Sequence, residues 1–138
     1  MESKSLVVFT YGTLKPGEER FYIIEPYLSS TKNAKLYGVQ LWDLGAFPGI
    51  TKGDEVVEGT LLEFPEEHAD RILHTLDRIE GYNEIDPDNS LYIRKEVVVE
   101  TEEGKVKCFT YFLQNKSSKV SVFLSSVRKM EETSWTRR

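Results

Sequence analysis

The most regular stretch of the chain is PEEHADRILHTLDRIEGY, in which Ala69, Ile72, Leu73, Leu76 and Ile79 recur at i, i+3, i+4, i+7 and i+10. That spacing predicts one long amphipathic helix. Pro65 followed by Glu66 and Glu67 supplies its start, a proline at an early position and acids near the positive end of the helix dipole. Gly81 supplies its stop. Elsewhere the pattern is that of strands. The apolar run Leu6 to Phe9 predicts a strand entering the turn or loop YGTLKPG. Residues 18 to 30 space Phe21, Ile24 and Leu28 as a helix would, with Pro26 ending it early. From Ala34 to Phe64 the segments AKLYGVQLWDL, GAFPGITKGDE and EVVEGTLLEF predict β-structure broken by glycine loops. SLYIRKEVVVETEEGKVKCFTYFLQ predicts a hairpin turning near Glu103 and Gly104. Its second strand is apolar on both faces from Cys108 to Leu113, which places it centrally in a sheet. In SSKVSVFLSSVRKM, the positions Val120, Phe123, Leu124, Val127 and Met130 form one helical stripe.

The sum is an α+β fold. We expect five or six mostly antiparallel strands curled into a small β-barrel, one long helix across it and a C-terminal helix. The whole of 1–138 reads as a single domain, with 117–138 a C-terminal helical extension. Neither a repeat period nor a low-complexity tract divides it.

Composition narrows the partners. A hydrophobic fraction of 39 % with seven Tyr and seven Phe is that of a folded protein with an aromatic-rich core. A formal net charge of −5 argues against nucleic acid, whose affinity rests on Lys and Arg neutralising phosphates. The basic residues of SVRKMEETSWTRR are interrupted by Glu131 and Glu132, as in an exposed helix end. A lone Cys108 forms no internal disulfide, and the N-terminal apolar run is too short for a signal sequence or a membrane span. The expectation is a cytoplasmic monomer with no membrane partner.

One residue of the long helix breaks its pattern. At about 100° per residue, with Ala69 at zero, the apolar positions span roughly −80° to +40°, and Glu80 falls near +20°, inside that sector. Asp77 lies near the edge, whereas His68 and His74 fall outside. Two readings stand here. If the helix reaches Glu80, its carboxylate is held in apolar surroundings, where lost hydration raises its pKa towards neutrality. If the helix ends one residue earlier, Glu80 is a solvated terminal residue beside Gly81.

The other candidate chemistry is thinner. After the first strand, the amides of Gly12, Thr13 and Leu14 could form a small anion or carbonyl pocket, although Gly-Thr is also an ordinary turn. Phe47 and Pro48 either line a pocket or cap the sheet. The sequence has no Walker-type loop, G-x-G-x-x-G, H-E-x-x-H or C-x-x-C, and His68 and His74 lack the i, i+4 spacing of a metal pair. Cys108, in an apolar strand, reads as an inert small hydrophobe.

In order along the chain, VFTYGTLKPG, FPGI, VEGTLLEF, LDRIEGY and LYIRKEVVV resemble the γ-glutamylcyclotransferase-like family, which includes AIG2-like proteins and γ-glutamylamine cyclotransferases. The resemblance covers about residues 6 to 113. It implies a small β-barrel with flanking helices and release of 5-oxoproline from a γ-glutamyl compound. Glu80 matches the family's catalytic glutamate, and Tyr11, Gly12, Thr13 and Leu14 match its substrate-binding loop. Because the substrate's own α-amine attacks its side-chain carbonyl, no cofactor or metal is expected. The protein would supply a near-attack geometry and one carboxylate as general acid/base. Tyr11 and Tyr111 are further candidates for the substrate pocket, each an apolar wall with one polar tip, with core packing as the other possibility. The implied partner is a small γ-glutamyl amine or amino acid. The alternatives are a non-catalytic module binding a small carboxylate or amino-acid-like ligand on the same scaffold, and a protein-interaction domain acting through its C-terminal helix.

Overall fold

The computed structural model describes residues 5–12, 15, 18, 20–43, 48–83, 85, 90, 92–113 and 128–129. Among them, six strands share one sheet: β1 (Leu6–Thr10), β2 (Ser30–Asp43), β3 (Pro48–Phe64), β4 (Tyr92–Thr101), β5 (Gly104–Leu113) and β6 (Arg128–Lys129). Two helices join them, the single turn α1 (Phe21–Ile24) and the long α2 (Glu66–Glu80). Pro26 sits in a 3-10 turn, Glu25–Tyr27, that closes α1, as its fixed φ and missing N–H require. Among the described residues no helix is long and apolar enough to cross a membrane.

The strands run in the order β3-β1-β5-β4-β2-β6, and β3 also pairs with β2, so the pairings return to the strand they began from. All are antiparallel except β1 with β5, where Val8 lies opposite Phe109 in parallel. The central place expected for Cys108 to Leu113 is observed, since β5 lies between β1 and β4. Its two faces feed two cores. Cys108 joins Phe9, Tyr11, Leu36, Leu41, Val57 and Val99 on one side of the sheet. Tyr111 and Leu113 join Leu6, Val8, Leu62 and Phe64 on the other, beneath Ile24 of α1 and Ile72 and Leu76 of α2.

Of the glycine loops expected between Ala34 and Phe64, the one at GAFPG falls between the end of β2 at Asp43 and the start of β3 at Pro48, with residues 44–47 outside the described residues, whereas the other glycines are not breaks. β2 and β3 run through Gly38, Gly49, Gly53 and Gly59 and pair along nearly their whole length. At Gly38, φ is +79°, and Val39 faces both Lys52 and Glu55 across a bulge. The extra residue reverses which parity points inward: Ala34 and Leu36 before it and Val39 and Leu41 after it enter the same core. Gly59 answers a different need. A Cβ there would stand 2.3 Å from the Thr10 carbonyl oxygen and 2.8 Å from Phe9 Cζ.

The stripe Val120, Phe123, Leu124, Val127 and Met130 lies outside the described residues. Within the same stretch, Arg128 and Lys129 are extended and pair with Asp43 and Trp42 of β2, so the expected C-terminal helix does not run unbroken through the extension. The pairing covers the far end of β2 on the edge away from β3, where backbone groups would otherwise lie unpaired.

Gly59→Ala is expected to destabilise the protein by about 1–3 kcal/mol, because the clash is with backbone. Urea unfolding should show a lower midpoint at unchanged slope; an unchanged midpoint would show that β1 and β3 can separate freely here.

Candidate active site

Helix α2 reaches Glu80. Gly81 then takes the left-handed conformation at φ +68°, its N–H returning to the Arg78 carbonyl at 3.2 Å and the Tyr82 N–H to the Asp77 carbonyl at 2.8 Å. This paired capping pattern is why the helix ends cleanly instead of fraying. The reading in which the helix stops short of Glu80 is therefore excluded. The residue as a whole keeps partial solvent contact, but its carboxyl is desolvated, and burial raises its pKa from 4.5 to about 7 against a lowering by Arg20.

Three tyrosines from three strand ends stand within electrostatic range of that carboxyl: Tyr11 after β1, Tyr92 at the start of β4 and Tyr111 near the end of β5. Burial is the largest cause that raises each phenol's pKa. Nearby charge or hydrogen bonding adds to it: Tyr92 and then Glu80 for Tyr11, Glu80 for Tyr92, and Asp77 followed by Glu80 for Tyr111. All three thus remain neutral hydrogen-bond donors near pH 7. Tyr11 donates to the Tyr111 carbonyl at 2.6 Å, and Tyr92 to the Pro48 carbonyl at 2.5 Å.

The last turn of α2 is tied down one turn before Glu80. The Tyr111 hydroxyl donates to Asp77 Oδ1 at 2.6 Å, and Arg94 of β4 donates to Asp77 Oδ2 as an ion pair. The Arg94 guanidinium lies 5.4 Å from the Tyr82 ring centroid and 5.5 Å from that of Phe109. Its pKa is raised by Asp77 despite an opposing desolvation.

Of the residues singled out in the sequence, Glu80, Tyr11 and Tyr111 converge. Gly12 follows Tyr11 directly, and a Cβ on it would lie 2.8 Å from both Cγ and Cδ of Pro48, so only glycine lets the chain pass that ring. Its carbonyl accepts from the Lys15 amide at 3.0 Å, making a turn. Thr13, Leu14 and Phe47 lie outside the described residues. Pro48 is buried, and its carbonyl holds Tyr92. Cys108 is buried, its thiol pushed up to about 12, chiefly by desolvation.

Sequence reasoning passed over Tyr92, Arg94 and Arg20, and noted Asp77 only as lying near the sector edge. Tyr92 and Arg94 share a strand face by period 2, and Asp77 and Glu80 share a helix face by i, i+3, so both pairs carried a local signal. Arg20 carried none. A separate cavity of about 990 Å³, lined by Lys15, Glu18, Lys35, Glu58, Glu100 and Glu102 among others, opens where β2 meets β4, away from Glu80.

A family model described as gamma-glutamyl cyclotransferase, AIG2-like, matches residues 8–137. No curated protein matches the chain. Among solved structures, a protein from Arabidopsis thaliana shares 30 % identity over 84 % of this chain and 67 % of its own, with TM-score 0.62. An AIG2-like protein from Mus musculus shares 19 % identity over 96 % of this chain and 88 % of its own, with TM-score 0.67. A structure described as a gamma-glutamyl cyclotransferase shares 16 % identity over 96 % and 93 %, with TM-score 0.54.

Because Glu80 holds its proton up to about pH 7 when folded, stability attributable to it is present below pH 4.5 and lost as pH rises through about 7. Glu80→Gln is expected to stabilise the protein at pH 8 by up to about 3 kcal/mol and to have no such effect at pH 4. Equal urea midpoint shifts at the two pH values would show that the carboxyl is solvated.

Proposed function

The chain belongs to the gamma-glutamyl cyclotransferase, AIG2-like family, and from that premise we propose that it is a cofactor-free cyclotransferase acting on a γ-glutamyl amine or γ-glutamyl amino acid. The observation that supports this reading most is a desolvated carboxyl, with its pKa raised to about 7, at the end of a helix and within electrostatic range of three neutral tyrosines, each already donating a hydrogen bond elsewhere. We take the closed circuit of strand pairings as a small barrel that fixes those donors in place.

In the proposed reaction the substrate is folded so that its α-amine meets its own γ-carbonyl, a step that gains most from a preset near-attack geometry. The new C–N bond closes a five-membered ring. Glu80 removes the proton lost by the attacking nitrogen and delivers it to the departing amine as the old C–N bond breaks, leaving 5-oxoproline and a free amine. One carboxyl with a pKa of about 7 suits both halves of that transfer. Amides following Tyr11, from Gly12 through Thr13 to Leu14, are proposed to hold the substrate carboxylate or the developing oxyanion, a contribution of about 3–4 kcal/mol by comparison with other oxyanion donors. Tyr11 and Tyr111 would wall the pocket. A buried free thiol at Cys108 fits a reducing, cytoplasmic setting for such an enzyme.

Purified protein given a panel of γ-glutamyl amines, γ-glutamyl dipeptides and glutathione is expected to release 5-oxoproline, read by mass spectrometry. Glu80→Gln should lower the rate by at least about 10²–10⁴-fold while keeping the fold. The wild-type kcat/KM should fall on the acid side of about pH 7, where Glu80 gains its proton. Full activity in Glu80→Gln would end the proposal.

A further inference from the structure

Arg20 lies in the turn that leads into α1 and is half-buried. Its Nη1 donates to the Ile79 carbonyl at 3.4 Å, which sets the guanidinium beside the peptide joining Ile79 to Glu80. From there its charge reaches two groups on different elements, Glu80 of α2 and Tyr92 of β4, and favours the ionised form of both. Yet among the described residues no carboxylate lies within ion-pair distance of Arg20. A guanidinium has five N–H donors in a planar fork suited to two parallel bonds to a carboxylate, and a neutral carbonyl occupies only part of that capacity. Capping the helix end does not account for the arrangement. The last turn of α2 already has a cation in Arg78, and a cap has no reason to lie in electrostatic reach of Tyr92 across the site.

Resting on the cyclotransferase reading, we propose that Arg20 captures a carboxylate of the γ-glutamyl substrate. Two carboxylates have the required chemistry: the one on the α-carbon of the γ-glutamyl half, and the one on the leaving half when that half is an amino acid. Capture would also act on the base. Among the described residues, the groups facing Glu80 from other elements are Arg20, Tyr11, Tyr92 and Tyr111, and the three phenols are neutral near pH 7. Asp77, on the same helix, is already paired with Arg94. Neutralising Arg20 therefore removes the main positive field on Glu80 and strengthens it as a base once substrate is bound.

The test compares wild type, Arg20→Gln and Arg20→Lys on a γ-glutamyl alkylamine, which has only the α-carboxylate, and on a γ-glutamyl amino acid, which has both. Arg20→Gln is expected to raise KM by about 10–100-fold with kcat changed only a few-fold, and to move the acid limb of kcat/KM to higher pH; Arg20→Lys should recover part of the loss. Equal losses on both substrates assign the α-carboxylate, and a loss confined to the γ-glutamyl amino acid assigns the leaving half. In parallel, both compounds are titrated calorimetrically into Glu80→Gln with and without Arg20→Gln, so that binding is read without turnover. Weakened binding in the double variant supports the inference even if wild type makes no 5-oxoproline, a result that would defeat only the cyclotransferase reading. Unchanged KM, pH profile and binding in Arg20→Gln overturn it, as does a loss of thermal stability with no change in any of the three.

Discussion

Asp77 holds the site together. One oxygen of its carboxylate takes the Tyr111 hydroxyl from β5 and the other takes Arg94 from β4, so the last turn of α2 is clamped to two strands at once. Tyr111 passes the constraint on, since its carbonyl receives the Tyr11 hydroxyl at the entrance to the loop that begins with Gly12. Four segments are thereby fixed relative to one another through one partly buried ion pair and two short hydrogen bonds. Breaking such a pair leaves a charge short of its partner in a poorly solvated place, which makes the arrangement strongly cooperative.

Three residues further on, Glu80 meets the opposite environment. Asp77 has two directed donors, one of them its ion-pair partner Arg94, whereas Glu80 has burial, three neutral phenols in range and only the more distant field of Arg20. Two carboxylates on the same helix face thus sit in opposite environments, one paired as a strut and one desolvated with its pKa raised to about 7. The strained electrostatics of the second are tolerated because the first, together with the Gly81 cap, fixes the helix end that bears it.

The sheet makes this possible by having two apolar faces. One is turned inward on Phe9, Leu36, Leu41 and Val57, and the other packs α2 through Leu62, Phe64, Ile72 and Leu76. Tyr11 belongs to the first core and the Tyr111 side chain to the second, and the Tyr11 hydroxyl bonds to the Tyr111 backbone carbonyl with Glu80 in electrostatic range of both residues. Structures under 20 % identical to this chain keep the same fold, as expected when patterning and volume, more than particular side chains, specify a core.

The sequence by itself determined whatever depends on short-range geometry. Apolar spacing set the length and facing of α2, Pro65 and Gly81 marked its ends, the run around Glu103 and Gly104 turned the hairpin, and the 100° rotation per residue placed Glu80 in the apolar sector. The ordered motifs identified the family. Tertiary structure alone decided what depends on register between distant segments. Gly38, Gly53 and Gly59 looked like breaks because a glycine signals the same thing locally whether it bends the chain, forms a bulge or admits a neighbouring strand; only the partner at that spot distinguishes them. Likewise Tyr11 meets Tyr111 across 100 positions and Asp77 meets Tyr111 across 34, and no local pattern records which of several tyrosines will arrive. Arg20 reaches the site only because the turn before α1 lies beside the end of α2, so its place there follows from packing and not from periodicity.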